Sequence, residues 1–188
     1  DAGGVFGMIK HFPGHGHSSG DSHEGEVSTP PLAQLEKADL LPYSALVGPG
    51  KPLVGKVGVM VGHLDVKGLT STVPSSLEPA VYSLLRDRYG FDGLVMTDDL
   101  GAMKAITDRF GLAASTTRAL SAGADVALFS NVTQVGPLLD AAEAALRDGK
   151  IKPADNDRAV ARVLESAGYR VQVPGADTCC GLTWITTG

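Results

Sequence analysis

The sequence predicts a parallel α/β fold. Three observations carry that prediction. Four short runs are dominated by apolar residues: Val5–Ile9, Val54–Val61, Gly93–Met96 and Asp125–Phe129. A stretch with helical spacing of apolar residues follows each of them. Polar residues gather where the runs end: Lys10 and His11, His63 and Asp65, Asp98 and Asp99, Ser130 and Asn131. Strands that are apolar on both faces, each feeding a helix, belong to a parallel sheet covered on both sides. Such sheets keep their chemistry at the carboxyl ends of the strands. Two arrangements satisfy the pattern, an open doubly wound sheet and half of a (β/α)8 barrel. A complete barrel takes about 250 residues, and this chain has 188.

The elements justify themselves in order. Val5–Ile9 fits a buried strand. It feeds a polar segment, Lys10 to His23, that holds four of the five histidines. Glycine and serine in its middle predict a flexible loop with turns at Pro13-Gly14 and Gly16. Ser28-Thr29-Pro30-Pro31 is a helix-start signal, and Leu32, Leu35, Leu40 and Leu41 follow at roughly helical spacing. Gly48 to Pro52 breaks the chain. The second strand, Val54–Val61, ends in Gly62-His63-Leu64-Asp65. Pro74-Ser75-Ser76 introduces a helix with Leu77, Val81, Leu84 and Leu85 on one face, closing at Tyr89-Gly90. The third strand ends in Thr97-Asp98-Asp99. A helix over Leu112–Leu120 stops at Gly123, and the fourth strand, Asp125–Phe129, is followed by a helix over Val135–Leu146 stopped near Gly149. Ala159–Ala167 reads as one more helix. The tail from Val171 to Gly188 shows no period.

Composition narrows the function classes. Formal net charge is −5, no basic run is present and aromatic content is 5%, which argues against a nucleic-acid footprint. No apolar run approaches the roughly 18 residues of a membrane span. The first residue is Asp1 rather than Met, so a processed or truncated chain is expected, and the absence of a leader says nothing of the parent protein. Cys179 and Cys180 are adjacent, which implies no disulfide framework and reads as two free thiols in a tail.

Several residues suit chemistry. Asp21 and His23 stand two apart on a loop, where a carboxylate can fix an imidazole's tautomer and stabilise its charged form. Histidine titrates near neutrality, which suits general acid/base work. The bland alternative is a solvated surface Asp-Ser-His. Asp98 and Asp99 follow an apolar strand directly, so one should face the site and the other turn away. A carboxylate there serves as nucleophile, base or metal ligand, or simply caps the next helix. Lys10 and His11 end the first strand; an exposed lysine and a packed histidine are the alternative. The histidines, with Asp21, also admit a metal reading, against which Pro13-Gly14 interrupts the helical spacing of His11 and His15.

Lys10-His11-Phe12-Pro13-Gly14-His15-Gly16 followed by Asp21-Ser22-His23 resembles the signature of glycoside hydrolase family 3, in its β-N-acetylglucosaminidase branch. Gly93-Leu94-Val95-Met96-Thr97-Asp98-Asp99-Leu100, with Met103 after it, resembles the nucleophile strand of that family. The segment Leu32–Tyr43 and the strand end Val59-Met60-Val61-Gly62-His63 are also similar. The likeness covers residues 1 to 168.

The resemblance implies a (β/α)8 TIM-type barrel of which this chain is the carboxyl half. Residues 1–170 would hold the last four βα units, and 171–188 a tail. It implies that Asp98 is the nucleophile, that His23 is the general acid/base held by Asp21, and that Lys10 and His11 bind sugar hydroxyls. His63 lies near the site without an assigned role. No cofactor and no metal are implied. The partner is a carbohydrate substrate, an N-acetylglucosaminide from peptidoglycan fragments or chito-oligosaccharides, with no nucleic acid and no membrane span. The protein would work in the bacterial cytoplasm or be exported to the cell wall. The amino-terminal half of the barrel, with further sugar ligands, is expected to be needed as well. The alternatives are a β-glucosidase-type hydrolase of the same family, against which the dyad speaks, and a non-catalytic sugar- or metal-binding fragment.

Overall fold

The computed structural model describes residues 5–130, 132–172 and 184–186. Its centre is a parallel sheet of β1 (Gly7–Phe12), β3 (Val57–Val61) and β5 (Val95–Thr97), in that order. Val59 pairs with Ile9 on one side and Val95 on the other. Val59, Val61 and Val95 are buried completely. Burial of each valine contributes roughly 1.5–3 kcal/mol, so the middle of the sheet carries stability and leaves the strand ends to chemistry. Gly58 is required here by close approach: a Cβ would lie 2.6 Å from the Met8 sulfur.

The expected fourth strand is present only as one parallel bridge, Met96 with Val126. Backbone bonds flank it, Asp125 N–H to the Val95 carbonyl at 2.8 Å and Leu100 N–H to the Leu128 carbonyl at 2.9 Å, and two side chains add to them. Asp125 Oδ2 accepts the Val95 N–H at 2.8 Å, and Thr97 Oγ1 accepts the Leu128 N–H at 3.0 Å. The chain runs where the alternation predicts, with side chains supplementing the backbone pairing at both ends.

A two-residue parallel ladder, β2 (Ser28–Thr29) with β4 (Asp65–Val66), lies beyond the ends of β1 and β3. Ser28 and Thr29 therefore do not cap a helix. The helix begins later, as α1 (Leu32–Leu35) with Pro31 at its N-cap, and α2 (Leu41–Leu46) follows with Pro42 in its first turn. Phe12 packs edge-on against Tyr43, ring centroids 4.9 Å apart.

After β4 comes a 3-10 turn, Ser75–Leu77, then α3 (Pro79–Ser83), continuing as a π turn over Leu84–Arg88. Leu77, Val81, Leu84 and Leu85 are buried as the helical face requires. Then come α4 (Lys104–Thr107), α5 (Leu112–Ala122), α6 (Val135–Arg147) and α7 (Pro153–Ser166). Gly123 ends α5 with φ +123°, a conformation L side chains rarely adopt.

Helix α7 starts six residues before the predicted Ala159. The polar run Asp155-Asn156-Asp157 hides the apolar period, but Pro153 at the first position and Asp155 in the first turn are good starting residues. Its Arg162 reaches Asp92 and Asp125. The tail also holds structure: β6 (Arg170–Gln172) pairs antiparallel with β7 (Trp184–Thr186). Asn131, Cys179 and Cys180 lie outside the described residues. Among the described residues no helix is long and apolar enough to cross a membrane.

Candidate active site

The site is assembled at the carboxyl ends of β1, β3 and β5. Asp98 follows β5, and its N–H donates to the Val61 carbonyl at 2.8 Å, which continues the β3–β5 ladder one residue into the loop. Its carboxylate is engaged at both oxygens. The Asp99 N–H donates to Oδ1 at 2.9 Å, and His11 Nε2 lies 3.3 Å from Oδ2. Burial raises the Asp98 pKa, but the His11 hydrogen bond, the Asp99 amide and the neighbouring imidazoles outweigh it. The net result is a carboxyl held down at about 2. Asp98 is therefore an oriented anion at neutral pH.

Asp99 turns the other way. Its Oδ1 accepts the Gly101 and Ala102 N–H groups at 2.7 and 3.0 Å, an Asx-type turn that absorbs the side chain locally. The expected division of the pair is therefore seen in the hydrogen bonds.

His11 reaches Asp98 because β1 is bulged. Ile9 pairs with Val59 and Phe12 with Val61, so three steps on β1 match two on β3. A bulge of this kind re-aims the side chains it contains, here Lys10 and His11. The Lys10–His11 and Phe12–Pro13 peptides are both cis. Lys10 is exposed and makes no hydrogen bond or ion pair among the described residues.

His63, at the end of β3, is 1% exposed. Its Nε2 lies 3.1 Å from the Asp99 carbonyl and its Nδ1 2.7 Å from Ser76 Oγ. A carbonyl only accepts, so Nε2 carries the proton, and Nδ1 accepts from the Ser76 hydroxyl. Burial pushes the imidazole down to about 4, partly opposed by the Asp99 carbonyl and the two carboxylates. His63 is a neutral prop under the loop that presents Asp98.

Asp21 and His23 form the expected pair. His23 Nδ1 is 2.7 Å from Asp21 Oδ1, and the His23 N–H donates to the same oxygen at 2.9 Å. A carboxylate only accepts, so Nδ1 carries a proton and Nε2 is free toward solvent. The His23 backbone and side-chain hydrogen bonds hold the Asp21 carboxyl below its usual range. Both side chains are mostly exposed. Between them Ser22 is buried. Its carbonyl accepts the Ala105 N–H at 3.2 Å, and its Oγ lies 3.5 Å from His15 Nε2. The His15 ring packs edge-on against His11, centroids 5.5 Å apart. A chain of contacts thus runs from Asp98 through His11 and His15 to the serine between the dyad residues.

The loop expected to be flexible is anchored at its Pro13-Gly14 turn. Gly14 has φ +132°, and a Cβ there would fall 2.3 Å from Asp39 Cβ. Asp39 Oδ2 in turn sits 2.7 Å from His17 Nδ1. The four histidines of the segment therefore serve different partners: His11 meets Asp98, His15 meets Ser18 and Ser22, His17 meets Asp39, and His23 meets Asp21. Among the described residues no three His, Cys, Asp or Glu side chains converge as a metal site requires.

Sequence reasoning gave Ser22 no role beyond its place in the motif, weighed His15 only as a metal ligand, and did not single out Asp39 or Ser76; none of these contacts has a local signal, because each joins residues distant in the chain or buried by it. A cavity of about 690 Å³ lies at the opposite end of the sheet. It surrounds Arg86, Asp125 and Arg162, which are already paired with one another, and it contains none of the residues above.

The fold defines a class, a segment of a parallel (β/α) barrel with charged and imidazole side chains gathered at its strand ends. The chain belongs to glycosyl hydrolase family 3: the model of that family's N-terminal domain matches residues 1–166. The beta-hexosaminidase LpqI of Mycobacterium tuberculosis is 49% identical over 170 residues, which cover 88% of this chain and 42% of that protein. The chain therefore spans less than half the length of such relatives. A crystal structure of a family 3 glycosyl hydrolase from Mycobacterium smegmatis matches with TM-score 0.81 and 49% identity, over 88% of this chain and 49% of that one. A family 3 β-N-acetylglucosaminidase from Paenibacillus matches with TM-score 0.78 and 31% identity, over 95% and 35% respectively.

Proposed function

We propose that this chain carries the reacting groups of a retaining, exo-acting β-N-acetylglucosaminidase that removes terminal N-acetylglucosamine from peptidoglycan fragments or chito-oligosaccharides. One observation carries the reading. An ionised, oriented Asp98 stands at the end of β5, while an exposed imidazole, fixed at Nδ1 by Asp21, sits on a loop that docks through the Ser22 carbonyl on the Ala105 N–H of the segment following Asp98. Relatives named beta-hexosaminidase and β-N-acetylglucosaminidase support it.

In the first step an Asp98 oxygen attacks the anomeric carbon, while His23, protonated at Nε2, gives that proton to the departing glycosidic oxygen. A covalent glycosyl-Asp98 ester results. In the second step neutral His23 takes a proton from water, whose oxygen displaces Asp98 and regenerates the carboxylate. Most retaining enzymes use a second carboxylate with a raised pKa as the acid. Here an imidazole takes that place, with Asp21 fixing its tautomer and orientation through Nδ1. Lys10, exposed at the bulge, and His11 bind the sugar hydroxyls. The outer edges of β1 and of 125–129 carry no strand partner among the described residues. The reading therefore requires further strands to close the sheet.

The test is hydrolysis of aryl N-acetyl-β-glucosaminides by the polypeptide carrying the whole barrel. Asp98→Asn should reduce turnover to background. His23→Ala should lower it by about 10²–10⁴-fold, the span typical of a lost general acid/base. Near-normal rates in both variants overturn the assignment, and preference for the aryl glucoside over the N-acetylglucosaminide overturns the substrate.

A further inference from the structure

The segment carrying the dyad is held as a closed loop. At its base the Ser19 N–H donates to the Ser28 carbonyl at 2.8 Å, and the Ser28 N–H donates to Ser19 Oγ at 3.0 Å. Asp21 and His23 lie near its tip, and the buried Ser22 between them docks on the Ala105 N–H. The exit of the loop is held by the Val27 carbonyl, which accepts the Asp65 N–H at 2.8 Å, and by one side chain acting just before it. Arg109 Nε donates to Glu26 Oε1 at 2.9 Å, three residues beyond His23. The same guanidinium reaches Asp65 with Nη1 at 3.3 and 3.4 Å and the Thr72 carbonyl with Nη2 at 2.9 Å. Arg109 follows α4, so it moves with the segment leaving Asp98, whereas Asp65 and Thr72 belong to the segment leaving β3.

One planar group thus locks three segments that meet at the strand ends. A surface ion pair contributes little to stability. A guanidinium fork with several partners fixes direction and register, which a lysine cannot reproduce. We propose that Arg109 is a positioning residue. Through Glu26 it holds the dyad loop at the height and angle where His23 Nε2 meets the glycosidic oxygen, and it couples that loop to the segment carrying Asp98. The inference rests on the reading of His23 as the acid/base.

The experiment uses leaving groups of different basicity on the complete barrel. A dinitrophenolate leaves without a proton, whereas the alcohol of a disaccharide needs one. The ratio kcat/KM reports steps through formation of the glycosyl-enzyme. Arg109→Ala should lower kcat/KM on N,N′-diacetylchitobiose by about 10–100-fold, the scale expected when a reacting group is displaced by about 1 Å. On the dinitrophenyl N-acetyl-β-glucosaminide the loss should be a few-fold at most, and azide should raise kcat by intercepting the intermediate. Arg109→Lys should recover only part of the disaccharide rate. Glu26→Ala, which cuts the clamp from its exposed side and leaves the Asp65 and Thr72 contacts in place, should show the same leaving-group dependence and carries the test if Arg109→Ala does not fold. An equal loss on all leaving groups, or no loss, overturns the proposal. If His23→Ala shows the leaving-group dependence and the clamp variants do not, the clamp alone fails. If His23→Ala lacks it too, the acid/base assignment fails first.

Discussion

Replacing His63 by glutamine should flatten the acid side of the protein's stability curve. The imidazole is almost fully buried, with Nε2–H given to the Asp99 carbonyl and Nδ1 accepting from Ser76. Burial lowers its pKa from 6.5 to about 4. The unfolded chain therefore takes up a proton as pH falls below 6.5, while the folded chain resists until about 4. Stability is full above the upper value, falls through that window and levels off below it. A gap of about 2.5 units at 1.36 kcal/mol each gives a loss on the order of 3 kcal/mol. Asp98 acts in a separate window, since its stabilisation is lost only as pH drops from the ordinary carboxylate range toward 2. Urea denaturation at about pH 7.5 and about pH 4.5 measures the effect. His63→Gln should start lower at the upper pH by about 1–3 kcal/mol, because the Ser76 hydroxyl loses its acceptor, and should converge on wild type at the lower pH. Parallel curves for the two proteins, or a side chain at position 63 titrating near 6.5 by NMR, would refute the reasoning.

Three further outcomes follow from packing and charge. Gly14→Ala should destabilise by about 2–4 kcal/mol, because it combines a strained φ with a Cβ pressed into Asp39; thermal unfolding reads this, and an unchanged midpoint contradicts it. Arg162→Ala leaves the Asp125 carboxylate buried with Arg86 as its remaining guanidinium. The expected loss is about 2–3 kcal/mol, below that of a fully orphaned charge, or a drop in Tm of roughly 5–10 °C. His17→Ala should free Asp39 from its partner at 2.7 Å and raise amide hydrogen exchange over residues 14–18 without changing exchange in β3. Equal exchange in both segments would show that the loop is not held there.

The sequence by itself determined the alternation of strands and helices, the end of the sheet that bears chemistry, and that the two adjacent aspartates must diverge; which of them faces the site came only from the family resemblance. The first three follow from local rules. Apolar runs have nowhere to go but a covered sheet, glycines such as Gly123 end helices, and strand ends collect polar side chains. The Asp21–His23 pair was equally legible, because two residues two apart on a loop reach each other without help from the rest of the chain.

Tertiary structure decided what depends on partners far along the chain. The Thr97 and Asp125 side chains take two of the backbone N–H groups along the fourth strand, which pairs as a single bridge. The bulge at Lys10 and His11 exists only because β1 must match β3, and it is what puts His11 on Asp98. The histidine cluster looks like a metal site in one dimension; in three, Asp98, Asp39, Ser22 and Asp21 take the four rings separately. The neutral state of His63 and the Arg109 clamp have no local signature either. Each arises from burial or from contacts between residues dozens of positions apart, and a side chain's charge and direction are set by those surroundings rather than by its neighbours in sequence.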